Sequence, residues 1–500
     1  MKTDQNQTLA DGALGVPALI FLVISAVGPI TTLFGNMILV MQFGNGIGAT
    51  GVYIVAMVVW LLFSVGFAAM VRHIRNTGAF YAFIARGLGR LPGVSASYLA
   101  ILAYVSTQIS ALGMIGYAIN AFLALQFDIH LSWWIYSLIA WALVTILGYR
   151  HIEIGAKILG VLMLGEVVVM VIFSIASILH PSSEGYTAAP FNPEVIFNGH
   201  IGLAFLFSFG SFIGFEAAAV FSEEAKNSRR SVPIATYSAV IIMTVLYALA
   251  SYALIVGWDG VMNRMNQAFN ENGNADVIIY GLVTRVLGGP AVIVMQVLLI
   301  TSVFAVLLAL HNMITRYYFS GGRTGVLPPG LGKIHRRFRS PHIASIVQSV
   351  IAFIAIVLIA VSGANPYMVY GWFSAIGILS LLLLYTFTSI AVIAYFARSK
   401  VDTRLWHTKI APALATIGLG YATVYAVLNF DVLIGEGHMA ITIAIFLIIL
   451  AVAITGIAVG FRLRKHRPDL YEKIGVTVPE PENNNIPSGQ ELGLTEQGKG

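Results

Sequence analysis

Long unbroken apolar runs, separated by short polar connections, dominate the chain; residues 161–179 and 438–459 are examples. A run of about 20 apolar residues is the length of a helix that crosses the hydrocarbon core of a bilayer. Strands of an outer-membrane barrel alternate apolar and polar residues instead, and no such alternation runs through these segments. The pattern therefore predicts helices, with spans 1 to 12 at about 16–43, 48–72, 93–123, 132–149, 156–180, 199–222, 233–257, 288–316, 342–361, 366–397, 409–429 and 437–461. Residues 276–287 read as a short extracellular helix.

Composition agrees with this reading. The 500 residues are 58% hydrophobic and only 10% charged, against roughly 25% charged in soluble domains. The chain holds no cysteine, so disulfides and thiolate metal sites play no part. The first ten residues are polar, and the apolar stretch behind them is too long for a signal-peptide core, so it is kept as span 1. The net charge of +6 changes the picture only through its distribution. Of 28 basic residues, all but Arg264 and Arg285 fall at the termini or in the even-numbered loops, which leaves 26 on one side. The positive-inside rule then places both termini in the cytoplasm of a plasma or inner membrane. Three regions follow: a cytoplasmic segment 1–12, a twelve-helix membrane domain 13–462, and a polar tail 463–500. The tail carries Pro-Glu-Pro-Glu-Asn-Asn-Asn at 479–485 and is expected to be disordered.

Two spans are interrupted. Span 1 contains Ser25-Ala26-Val27-Gly28-Pro29-Ile30-Thr31-Thr32, where proline removes a backbone donor and glycine permits unusual dihedrals. Span 6 contains Phe207-Ser208-Phe209-Gly210-Ser211-Phe212-Ile213-Gly214-Phe215-Glu216. Glycine and proline are common in membrane helices generally, but paired interruptions at corresponding places of two halves point to a transport site. The two lie five spans apart, and a five-span unit has an odd count, so its second copy is inverted. A half-helix beginning after Gly28 offers amides to a carboxylate, and carbonyls ending the other half-helices suit an ammonium. A zwitterionic amino acid meets both.

Ionisable residues inside spans are costly and so informative. Glu166 stands alone in span 5, ten residues beyond Ala156, which at 1.5 Å per residue is about 15 Å into the membrane. Without a cation partner it can bind and release a proton as a coupling group; beside sodium it is a ligand; otherwise it is a neutral acid hydrogen-bonding a neighbouring helix. Glu216, on the inner half of span 6, is a second titrating group or an ion-pair partner for a basic loop residue. Glu223 and Glu224 are expected to order the following loop through ion pairs. Tyr104, Thr107 and Gln108 in span 3, with Tyr370 and Trp372 in span 10, are candidates to line a pocket or to pack. His200 and His311 lack metal-ligand spacing, and no phosphate-binding loop motif occurs, so neither metal, cofactor nor ATP-driven transport is expected. A channel needs a continuous polar lining and a membrane enzyme needs clustered catalytic groups; neither pattern is present.

The span 6 segment 209–216 and the run Glu-Glu-Ala-Lys-Asn-Ser-Arg-Arg-Ser-Val-Pro-Ile-Ala at 223–235 resemble the amino acid-polyamine-organocation (APC) superfamily of permeases. Gly78-Ala79-Phe80-Tyr81, Arg323-Thr324-Gly325-Val326-Leu327-Pro328 and Ser340-Pro341 continue the resemblance, which covers about residues 12–460. It implies two inverted five-helix repeats, spans 1–5 and 6–10, plus two C-terminal helices. It also implies alternating access around spans 1, 3, 6, 8 and 10, and secondary active transport of amino acids or related amines, frequently proton-coupled. By that similarity the α-carboxylate and α-amino groups meet the backbone of Val27, Gly28, Ile30, Thr31 and Thr32 and of Phe209, Gly210, Ser211, Phe212 and Ile213. Many relatives place a lysine in helix 5 where this chain has Glu166. Gly210 stands where several relatives have a bulky aromatic gate, so Phe209 or Phe212 substitutes, or the pocket takes a larger side chain. A proton-coupled amino acid importer is the leading expectation. The alternatives are an amine or polyamine carrier, for which only Glu166 and Glu216 offer obvious carboxylates, and a sodium-coupled amino acid symporter.

Overall fold

The computed structural model describes residues 15–74, 80–150, 154–216, 225–335, 337–338, 340–435 and 439–475. Residues 1–14, Gly78, Ala79, Glu223, Glu224 and the tail from 476 lie outside the described residues. Every predicted span overlaps a helix, though span 6 does so only over its first half and its residues 217–222 lie outside the described ones; ten of the described helices are long and apolar enough to cross a membrane. Span 4, Trp133–Arg150, falls short because tryptophans, tyrosines and a terminal arginine dilute it. Span 6 falls short because its helix, Ile201–Gly210, stops after 10 residues.

Spans 2, 3, 5 and 7 are Ala49–Val71, Arg90–Phe127, Ile154–Leu179 and Ser228–Gly257. Spans 8 to 10 are Gly289–Thr324, His342–Ser362 and Pro366–Ser399. Spans 11 and 12 are Ala411–Leu428 and Met439–His466. Span 8 runs beyond its expected end because its apolar face continues past Arg316 until Gly325 adopts φ 74° and caps it. A short helix expected at 276–287 is present as Asp276–Leu287. A second helix, Val261–Asn272, precedes it; its polar sequence hid it from a search for apolar runs. At the other end of the chain helix continues past the expected boundary at 462, to His466 and then Pro468–Lys473.

Burial sorts the spans into an inner and an outer set. Span 3 is 72% buried within the protein and span 10 is 67%, whereas span 12 is 22% and presents Ile441, Leu447, Ile454 and Phe461 outward. In a bilayer those outward residues meet lipid, which accepts them without cost. Spans 3 and 10 come close enough that side chains have no room between them. A Cβ at Gly113 would lie 2.9 Å from the Pro366 carbonyl, and one at Gly377 would overlap Thr107 and lie 2.9 Å from the Ala103 carbonyl. Small residues at such contacts let backbones pack, the main source of helix association in lipid. Gly377→Leu forces these backbones apart and is expected to destabilise the protein by about 1–3 kcal/mol or more. Size-exclusion chromatography and thermal unfolding of the purified variant measure this; an unchanged melting temperature contradicts it.

Candidate functional site

Span 1 breaks at Gly28. Its first piece, Val16–Val27, closes with the Gly28 amide donating to the Ile24 carbonyl, and Gly28 then takes φ 65°, ψ 81°, in the left-handed region. Pro29 opens the second piece, Pro29–Phe34. The turn frees amides that have no acceptor within the helix. A side chain at 28 is strained by this dihedral, and its Cβ would stand 2.5 Å from Val306. Span 6 ends at Gly210, and turns cover 211–216. Gly214 sits at φ 109°, again suited to glycine, and its amide donates to Oε2 of Glu216 at 3.1 Å.

The two breaks face each other across a small cavity of about 40 Å³. One part of its wall is polar but uncharged: Thr31, Thr32 and Asn36 from span 1, Thr107 and Ser110 from span 3, Tyr370 and Ser374 from span 10. The remainder is apolar: Val27, Ala111, Gly210, Ile213, Val306 and Leu310. No charged side chain is among the lining residues. About 10–15 Å³ of such space holds one water, so the cavity has room for a few waters, less than an amino acid, and occupancy by one requires the surrounding helices to separate. The polar wall is braced by hydrogen bonds. Tyr370 donates to Asn36 Oδ1 at 2.8 Å and Ser110 donates to the Tyr370 carbonyl at 2.8 Å. Thr31 donates to Ser302 at 3.0 Å, and Tyr247 donates to Thr32 at 3.2 Å.

Of the residues named from sequence, Val27, Thr31, Thr32, Gly210, Ile213, Thr107 and Tyr370 line this cavity. Gly28 makes the break beside it. Ser211 hydrogen-bonds Tyr53 at 3.1 Å. Phe209 and Phe212 pack on Trp60, with ring centroids 5.6 and 6.2 Å away. The side chain that occupies the place of an aromatic at 210 is instead Ile378 of span 10, which a Cβ at Gly210 would overlap. Gln108 accepts from Gln348 of span 9, and Tyr104 donates to Glu216. Sequence reasoning missed Asn36, Ser110, Ala111, Val306, Leu310 and Ser374. The one signal for some of these was helical spacing, since Ser110 follows Thr107 by three residues and Ser374 follows Tyr370 by four.

Both intramembrane carboxyls lie next to this arrangement rather than in its wall. Glu166 is 2% exposed. It accepts from the Ile30 amide, one of the amides in the first turn after the break, and from the Ser302 hydroxyl. Its Oε2 has no hydrogen-bond partner among the described residues. Glu216 is fully buried; Tyr104 of span 3 donates to its Oε1 at 2.6 Å and Tyr385 of span 10 at 3.3 Å. It thereby ties the turn of span 6 to both inner spans.

The two broken spans thus border an uncharged cavity walled by spans 1, 3, 6, 8 and 10. The model of one family, described as amino acid permease, matches residues 18–472. The chain belongs to the amino acid permease family. It is therefore a multi-pass membrane protein of a transporter family, not an enzyme. It is similar to the branched-chain amino acid permease BcaP of Bacillus subtilis (strain 168), 25% identical over 60% of this chain and 65% of that protein. It is similar also to BcaP of Lactococcus lactis subsp. cremoris (strain MG1363), 26% identical over 58% of this chain and 64% of the relative. A methylthioribose transporter of Bacillus subtilis is 24% identical over 56% of this chain and 55% of its own length. The chain thus spans just under two thirds of the first two relatives.

The break at Gly28 generates a direct expectation for this permease. Gly28→Leu should remain folded by size-exclusion chromatography but show no thermal stabilisation by any amino acid that stabilises the wild type, with Gly28→Ala intermediate. Full stabilisation of the leucine variant would remove the break from the site.

Proposed function

We propose that the protein imports an amino acid with an uncharged side chain across the cell membrane, by alternating access and coupled to proton movement through Glu166. One observation carries this reading: the two broken spans face each other across a cavity that holds polar and apolar walls but no charged side chain. A polyamine would be left without a counter-charge there, whereas a zwitterion can be met by backbone amides near Gly28 and by carbonyls ending the half-helices. The apolar wall of Val27, Ala111, Ile213, Val306 and Leu310 suits an aliphatic side chain. Two relatives are named as branched-chain amino acid permeases, so valine, leucine and isoleucine are the first ligands to test. The two inverted five-span repeats implied by the breaks in spans 1 and 6, with both termini in the cytoplasm as the basic loops indicate, belong to the same reading.

Glu166 supplies a physical route to coupling. It accepts from the Ile30 amide, at the same break that would hold the substrate carboxylate. Two like charges about 4 Å apart repel by about 4 kcal/mol at an effective dielectric of 20. Substrate binding and a negative Glu166 therefore oppose each other, while a protonated Glu166 relieves the repulsion. By linkage, each of substrate and proton then favours the other's binding. Loss of the proton on the cytoplasmic side would promote release. Sodium bound at the free Oε2 is the alternative coupling ion, with Glu166 as its ligand.

A second reading rests on the hydroxyl-rich wall and on the relative named as a methylthioribose transporter: an uncharged, hydroxylated substrate held by side chains rather than by charge. Thermal-shift screening of purified protein against the twenty amino acids, amines, polyamines and methylthioribose, at two pH values with and without sodium, separates the readings. In proteoliposomes carrying a pH gradient, Glu166→Gln is expected to bind the identified substrate and equilibrate it, yet to accumulate none, with its affinity no longer varying with pH. Concentrative uptake equal to wild type would exclude Glu166 from coupling.

A further inference from the structure

Spans 3, 6 and 10 carry two polar layers, not one. The first is the cavity, reached by Thr107 and Ser110, by Gly210, and by Tyr370 and Ser374. The second is the Glu216 carboxyl with the Tyr104 and Tyr385 hydroxyls. On each span the second layer lies on from the first in one direction, three residues from Thr107 back to Tyr104, six from Gly210 on to Glu216 and eleven from Ser374 on to Tyr385. A side chain between the layers separates a cavity lined without charge from a buried carboxyl.

Ile378 is not itself in the cavity wall; it packs directly against Gly210, which is. It is four residues beyond Ser374, so one turn, about 6 Å, further along the same face of span 10. It is seven residues, about 10.5 Å, before Tyr385. It is 1% exposed. It occupies the space that any side chain at Gly210 would need, so the glycine does not enlarge the cavity; span 10 refills it.

We propose that Ile378 is the specificity-determining residue of this cavity, limiting the length of the side chain it accepts and keeping that side chain away from the Glu216 carboxyl. This rests on the cavity being the amino acid site. Shortening Ile378 opens space beside Gly210 in the direction of Glu216, where an unbranched side chain can extend. A longer chain bearing an ammonium group then finds a counter-charge that the wild-type cavity withholds.

The test compares wild type, Ile378→Val and Ile378→Ala for binding of valine, norleucine and lysine, by titration calorimetry and by competition for uptake. The norleucine-to-valine affinity ratio is expected to rise about tenfold or more in Ile378→Ala, the scale on which one methylene counts in an apolar pocket. Ile378→Val is expected to shift it in the same direction by less, which keeps the comparison available if the alanine variant does not fold. Lysine is expected to bind only the alanine variant, and its exclusion by all three would remove Glu216 from the account. A variant that still binds valine with an unchanged norleucine-to-valine ratio overturns the proposal. If wild type binds no amino acid, the substrate reading and this inference fall together, a result distinct from an unchanged ratio.

Discussion

Backbone groups released at membrane depth need partners, because an amide left unpaired in a medium without water costs several kcal/mol. The left-handed turn at Gly28 releases such groups, and the architecture around it answers them. Ile30 donates to Glu166, which Ser302 also engages; Thr31 reaches Ser302 from the other side. The break, the isolated carboxyl and the hydroxyl of span 8 are thus parts of one arrangement. Glu166 is tolerable in span 5 because it meets these donors, and the break is tolerable in span 1 partly because it meets Glu166.

Span 6 solves the same problem differently. Its turn over 211–216 folds the Glu216 side chain back on the Gly214 amide, and tyrosines from spans 3 and 10 complete the shell of that carboxyl. Trp60, Phe63 and Phe215 pack around the ring of Tyr385, with centroids 4.8, 5.4 and 5.9 Å away. The broken spans therefore lean on an inner pair, spans 3 and 10, whose glycine contacts bring their backbones together. The same pair carries two further tyrosine contacts. Tyr117 donates to Asp276 of the helix Asp276–Leu287 at 2.6 Å, and Tyr367 donates to the Phe34 carbonyl at 3.2 Å. Each of these tyrosine hydrogen bonds is worth about 0.5–1.5 kcal/mol net, so they tie the inner spans to their neighbours by modest individual energies.

Much of this was legible from residue order. Apolar run length fixes a membrane helix because a bilayer admits little else, so a helix at each predicted span, the first half of span 6 included, the helix Asp276–Leu287 and the breaks at Gly28 and Gly210 followed from pattern and from the backbone chemistry of glycine and proline. The isolation of Glu166 and Glu216 in apolar surroundings was equally visible. The polar helix Val261–Asn272 escaped because membrane hydropathy has no purchase on a polar segment between spans.

Side-chain partnership was decided only in three dimensions. Gln108 and Tyr104 have the chemistry of pocket residues, yet one is taken up by Gln348 of span 9 and the other by Glu216 of span 6. Ser110, Ser374 and Asn36 look like ordinary small polar residues of apolar helices and become cavity wall through the way spans 1, 3 and 10 cross. Gly210 invited an enlarged pocket, and Ile378, 168 positions later in the chain (378 minus 210), fills it. Period and composition specify which face of a helix is buried; which neighbour meets it depends on contacts between residues far apart in sequence, and those exist only once the helices have packed.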